Sequence, residues 1–203
     1  MPAERKIYGE DHRIFRDAVA RFMEREVVPY HDQWEKDGVV SRDVWLKAGE
    51  AGLLLSTAAE EYGGAAADFG YCAIVIEEST RVNASGLGFQ LHSDIVAPYI
   101  ETYGSEELKK AWLPRMAKGE IIGGICMTEP GTGSDLQGVK TRAVRDGNEW
   151  VITGQKTFIT NGQNADLFIV VAKTDPSKGA KGTSLILVEA DRAGFKRGRN
   201  LEK

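Results

Sequence analysis

Ile121-Ile-Gly-Gly-Ile-Cys-Met-Thr-Glu-Pro-Gly-Thr-Gly-Ser-Asp135 is where the chain changes its period. Before it, apolar residues recur every three or four positions, as on one face of a helix. Within it, a compact apolar run with isoleucines reads as a buried strand, and Pro130, Gly131 and Gly133 then force a turn. After it, alternating and β-branched runs dominate. Helices followed by strands argue for an α+β fold in two domains, a helical one over residues 1–120 and a β-sheet or barrel-like one over 121–203.

On the N-terminal side, Ile14, Ala18 and Phe22, with Phe15, Val19 and Met23 beside them, make one apolar stripe. Arg13, Arg16, Asp17, Arg21 and Glu24 lie outside it. Pro29 marks the end of this helix or a kink in it. Ser41 is an N-cap for a second helix through Trp45 and Leu46, stopped near Gly52. Asp68 caps a third carrying Tyr71, Ile74, Val75 and Glu78. Ser85 to Gly88 opens a fourth through Leu91, Ile95 and Tyr99. Ser105 caps a fifth, with Glu106 and Glu107 set against its dipole and Leu108 and Trp112 on its buried face. Pro114 is expected to kink it and Gly119 to end it. On the C-terminal side, Val139 to Arg145, the Asp146-Gly147 turn and Trp150 to Ile159 read as a hairpin. Leu167 to Ala172, Ser184 to Glu189 and Phe195 to Gly198 are further strands.

The composition is that of a globular chain: 203 residues, 42% hydrophobic and 28% charged, enough to bury roughly 70% of the unfolded surface. A net charge of -4 gives no basic excess, which argues against nucleic acid as a partner. The apolar stretches are too short for a membrane span. Cys72 and Cys126 form no metal or disulfide motif, and His12, His31 and His92 are scattered, so no metal is expected. Met1 to Asp11 lacks the apolar core of a signal peptide and the acid-poor character of a transit peptide. With two unpaired cysteines, this predicts a reducing, cytoplasmic location.

The chemistry concentrates in Ile125 to Asp135. Two glycines let main-chain N–H groups approach a ligand, and Thr128, Thr132 and Ser134 add hydroxyls beside them. Such a corner suits a planar, carbonyl-rich heterocycle or a phosphate. It is neither a P-loop nor a GxGxxG turn. Met127-Thr-Glu-Pro-Gly-Thr-Gly-Ser-Asp135 resembles the flavin-binding signature of the acyl-CoA dehydrogenase family. Trp150-Val-Ile-Thr-Gly-Gln-Lys-Thr-Phe-Ile-Thr-Asn-Gly162 is similar to that family's second motif, with Phe158 where tryptophan is common. Tyr62-Gly-Gly64, Tyr103 to Glu107 and Leu113-Pro114 look like further landmarks. Ser85 to Ser93 is most similar to the long-chain and branched-chain members.

The resemblance implies FAD as cofactor, held by Ile125, Cys126, Met127, Thr128, Glu129, Pro130, Gly131, Thr132, Gly133 and Ser134, and by Phe158, Ile159 and Thr160. It implies that Ser134 also touches the thioester, and that Gly88, Phe89 and His92 wall the acyl chain. It implies an acyl-CoA substrate, electron-transfer flavoprotein as acceptor, and a homotetramer or homodimer at full length. Its catalytic glutamate would lie in a C-terminal helical bundle, before which this chain stops, so no catalytic residue is expected among the 203. Read from the residues alone, Glu129 and Asp135 hold the turn and His92 is a surface or helix-packing histidine. Two other functions suit the same scaffold: a flavin monooxygenase or oxidase, and a catalytically silent binding protein.

Overall fold

A computed structural model describes residues 7–201, which form two compact units parting between Ile122 and Gly123. The helical unit begins with α1 (Glu10–Phe22), a π-helical turn (Met23–Val27) and α2 (Val28–Asp37) in one continuous run. The proline neither ends nor breaks it. Pro29 has no N–H for a helical bond, and its ring crowds the preceding turn. The widened turn, closed by Val28 N–H donating to the Met23 carbonyl, sits just ahead of it. The same device recurs where α5 (Phe89–Leu91), a π turn (His92–Val96) and α6 (Ala97–Tyr103) run on through Pro98.

Between these runs lie α3 (Arg42–Glu50) and α4 (Phe69–Arg81), and α7 (Glu106–Ala117) closes the unit. The expected caps form. Ser41 Oγ accepts from Asp43 N–H at 3.2 Å, an Asp68 carboxylate oxygen from Gly70 N–H at 2.7 Å, and Ser105 Oγ from Leu108 N–H at 3.3 Å. Gly119 ends α7 with φ +71°, where any Cβ would strike the Trp45 carbonyl.

Two expected faces are only partly buried. Val19, Phe22 and Met23 of the α1 stripe are buried, with Val27 beyond them, where α4 packs, while Ile14 and Ala18 at the edge of the stripe are exposed. In α7, Leu108 is exposed and Leu113, Met116 and Ala117 are buried. Periodicity finds a helix but leaves its rotation to the neighbouring elements. Glu78 is buried between α1 and α4, held by Arg16 at 2.9 Å and Arg81 at 2.6 Å.

The second unit is a mixed five-stranded sheet. Its centre is β4 (Leu167–Lys173), buried along its whole length. The first strand, β1 (Gly123–Cys126), pairs parallel with it, and β5 (Thr183–Glu189) pairs antiparallel. A hairpin of β2 (Arg142–Asp146) and β3 (Glu149–Thr153) joins β4 through Arg142 opposite Lys173. Helical domain and sheet domain are thus both present.

The strand expected over Trp150 to Ile159 stops at Thr153. Gly154 approaches Thr141 so closely that a Cβ would overlap it, and the chain then leaves the hairpin. Phe195 to Gly198 is not a strand either. Phe195 N–H closes a turn on the Arg192 carbonyl at 3.0 Å, and its ring stacks on Phe168 at 5.3 Å. No helix among the described residues is long and apolar enough to cross a membrane.

Candidate cofactor site

The β1 strand delivers the chain from the sheet core into the loop after Cys126. Ile125 and Cys126 are buried there, and burial pushes the Cys126 thiol up to about 11. They support the loop rather than face a ligand with their side chains. Beyond them, Glu129 and Thr132 exchange main-chain hydrogen bonds at 2.9 and 3.1 Å, closing a tight turn with Pro130 and Gly131 at its tip.

Gly131 and Gly133 differ from the expectation. Neither has a positive φ, and an added Cβ would meet nothing within 4 Å. Their lack of a side chain is therefore required by neither the turn nor the protein's packing. It leaves the outer side of the loop open to close approach. Among the described residues, the N–H groups of Thr128, Gly131, Gly133 and Ser134 donate to no acceptor of this chain.

Glu129 turns the other way. Its carboxylate is 6% exposed and accepts from Lys140 N–H at 2.7 Å, Thr141 N–H at 2.9 Å and Lys156 Nζ at 3.0 Å. Burial alone would raise its pKa, but donors from Thr141, the Lys140 main chain and Lys156 outweigh it and hold the carboxyl at about 2. Asp135 accepts from Gln137 N–H at 3.1 Å and caps the turn Leu136–Gly138. Both acids hold backbone, and the low pKa of Glu129 keeps it ionised.

The second sequence segment lies against the first. Lys156 Nζ donates to the Met127 carbonyl at 3.0 Å, and Thr157 N–H to the Thr128 carbonyl at 2.9 Å. This pairing sets Phe158 beside the loop with φ +57° and its ring 71% exposed. A bulky residue in the left-handed region is strained, and such strain concentrates at functional sites. Ile159 is half-buried and Thr160 exposed. Asn161, also left-handed at φ +62°, anchors the segment by donating from Nδ2 to the Gly123 carbonyl at 3.0 Å. Lys156, Thr157 and Asn161 carry the junction, and sequence reasoning overlooked them. The signal was a single lysine inside a run of strand formers.

The arrangement fits a carbonyl-edged heterocycle or a phosphate. It offers several unpaired N–H donors on an open glycine loop, with an exposed aromatic ring beside them.

The residues expected to wall the acyl chain lie in the helical unit. Gly88 starts α5 in the left-handed region, with φ +34°. Phe89 is 1% exposed and packs edge-on to Trp45 at 4.7 Å. His92 is fully buried, 3.1 Å from the Met116 carbonyl and 5.3 Å from the Trp45 ring. Both side chains are buried in the packing of the helical unit. A cavity of about 10 Å³, the space of one water, lies beside Phe89, against Cys72, Gln90, Ser93 and Asp94. Burial and Asp94 push the Cys72 thiol up to about 12.

Comparison with known proteins covers nearly the whole chain. The family description "Acyl-CoA dehydrogenase, N-terminal domain" matches residues 9–120, and "Acyl-CoA dehydrogenase, middle domain" matches 124–203. The long-chain specific acyl-CoA dehydrogenase of Sus scrofa is 52% identical over 201 residues, covering 98% of this chain and 47% of that protein. The crystal structure of an acyl-CoA dehydrogenase from Geobacillus kaustophilus superposes with a TM-score of 0.95 at 49% identity, over 98% of this chain and 53% of that one. A glutaryl-CoA dehydrogenase from Mycobacterium smegmatis, in complex with FADH2, gives 0.85 at 32% identity, over 93% and 48%. The chain thus spans about half the length of the relatives it matches.

These findings overturn the cytoplasmic expectation. The long-chain relatives from Sus scrofa, Rattus norvegicus and Mus musculus are all named as mitochondrial. Acidic balance and free thiols suit any reducing compartment, the mitochondrial matrix included, so composition does not discriminate.

Proposed function

The chain belongs to the acyl-CoA dehydrogenase family, and from that premise we propose that the whole protein dehydrogenates an acyl-CoA thioester between Cα and Cβ with FAD as cofactor. The observation that carries the reading is the junction of the two loops. Unpaired N–H groups at Thr128, Gly131, Gly133 and Ser134 stand beside the strained, exposed Phe158. When bound, FAD supplies the two-electron sink that the chemistry needs. The Met127–Ser134 main chain and the Thr128 hydroxyl hold its polar edge, Phe158 packs on it, and Ile159 and Thr160 complete the contact. The Lys156–Glu129 pair keeps the two loops in register, so the donors are in place before the ligand arrives.

Removing the α proton needs a carboxylate free to accept it. Glu129 is held by two backbone N–H groups and by Lys156, and Asp135 by one backbone N–H, so both serve the turn, and this reading takes the base to be a glutamate elsewhere in the whole protein. A fatty acyl thioester is the substrate this reading favours, given the long-chain relatives, with Ser134 near the thioester. Electron-transfer flavoprotein as acceptor and a homodimeric or homotetrameric assembly belong to the same proposal.

The test is anaerobic titration of the whole, flavin-loaded protein with a saturated acyl-CoA. The yellow absorbance is expected to bleach stoichiometrically, with the enoyl-CoA as product. Flavin that stays oxidised with acyl-CoA present and is reduced only by a nicotinamide would point to a monooxygenase instead. A whole protein that binds no flavin would point to a silent scaffold.

A further inference from the structure

Lys156 is an ammonium group 9% exposed, and its contacts lie within the junction itself. It donates at 3.0 Å to Glu129 and at 3.0 Å to the Met127 carbonyl. The Met127 carbonyl and the Thr128 N–H are the two ends of one planar amide, conjugated through the C–N bond. A cation at the oxygen draws electron density from the nitrogen, so the N–H at the other end becomes a stronger donor. Among the described residues, that N–H has no acceptor within the chain. The neighbouring Thr128 carbonyl is fixed by Thr157 N–H at 2.9 Å, so the amide is held in orientation as well as polarised. The interaction is shielded from water, where a charge-assisted hydrogen bond keeps more of its strength.

We propose that Lys156 is a positioning residue that polarises the Met127–Thr128 amide, making Thr128 N–H a stronger donor to the bound flavin and favouring the flavin's reduced, electron-rich state. This rests on the loop being the FAD site. A simple clamp would need only a hydrogen-bond donor at position 156. Polarisation needs the charge, and the two roles therefore respond differently to substitution.

The experiment is the two-electron reduction potential of flavin in the whole protein carrying Lys156→Arg, Lys156→Gln or Lys156→Met. Arginine keeps the charge and is expected near the wild type. Glutamine keeps a donor without charge and is expected to shift the equilibrium about threefold toward oxidised flavin. Methionine keeps neither, and at least a tenfold shift is expected, about 30 mV lower. Equal potentials for the arginine and glutamine variants, or for methionine and wild type, overturn the proposal while leaving the FAD site intact. A wild type that binds no flavin overturns both.

Should the variants lose flavin, hydrogen exchange of the Thr128 amide in the cofactor-free protein decides the question. A polarised N–H is more acidic and exchanges faster by base catalysis. Exchange severalfold slower in the glutamine variant than in the arginine variant supports the proposal, and equal rates overturn it.

Discussion

The segment from Gly88 to His92 and the segment from Met127 to Ser134 both looked like ligand walls in the sequence, and the fold treats them oppositely. In the first, side chains with chemical potential are used up by packing: His92 is buried against Met116 and Trp45, and Phe89 against Trp45. In the second, the acid holds backbone, and main-chain N–H groups are left without an acceptor among the described residues. The lesson is that residue type marks a candidate, while unpaired donors and an unfilled approach mark a site. A histidine in a core is structure, and a glycine whose absent side chain would have met nothing is access.

The largest effects expected are those that break the buried supports on either side of the comparison. Glu129→Ala leaves Lys156 without its counter-ion and two N–H groups without an acceptor. It is expected to cost about 3–5 kcal/mol in chemical denaturation. An effect below about 1 kcal/mol would mean that the loop does not depend on this pair. Because the folded-state pKa of Glu129 lies below its ordinary 4.5, at about 2, its stabilisation is complete above about pH 5 and is lost as pH falls through about 2. In acid titrations Glu129→Gln should show a flatter stability profile over that window than the wild type.

On the helical side, His92→Ala opens a cavity in a packed core and is expected to cost about 2–5 kcal/mol. Relative kcat/KM values across acyl chain lengths should stay unchanged. A selective loss for long chains would restore His92 to the substrate wall.

Glycine substitutions sharpen the contrast at intermediate scale. Gly119→Ala drives a Cβ into the Trp45 carbonyl from a left-handed position and should lower the melting temperature of the whole protein. An added Cβ at Gly133 meets nothing within 4 Å, so for Gly133→Val the melting temperature of cofactor-free protein should hold while FAD affinity falls at least tenfold. Unchanged FAD binding in Gly133→Val would remove the glycine loop from the site.

The smallest effect is at Phe158. Phe158→Gly relieves a left-handed backbone strain and is expected to raise apo stability by up to about 1 kcal/mol, with weaker flavin binding. A variant that is both less stable and equally good at binding FAD would show the ring to be packing rather than site.

Much of this was legible in the chain. The caps at Ser41, Asp68 and Ser105 and the change of period near Glu120 follow from local hydrogen bonding and pattern, which one sequence carries in full. The exact edge of the buried face on α1 and α7 was not, because which side of a helix is buried depends on distant elements, as α4 sets it for α1. The end of β3 was hidden for the same reason. It depends on a contact between Gly154 and Thr141, thirteen residues apart. The glycine-rich loop was visible from its motif, but the direction of Glu129 was set by Lys140, Thr141 and Lys156, none of which adjoins it. Compartment was not legible at all, since the folded core does not encode it.

The central claim is that the outward N–H groups of the Met127–Ser134 loop bind the flavin. Amide hydrogen exchange in the whole protein, with and without FAD, tests this residue by residue. The account predicts that Thr128, Gly131, Gly133 and Ser134 exchange rapidly without cofactor and become protected at least tenfold when FAD is bound, while His92 is unaffected. Protection absent from that loop, with FAD demonstrably bound, would contradict it.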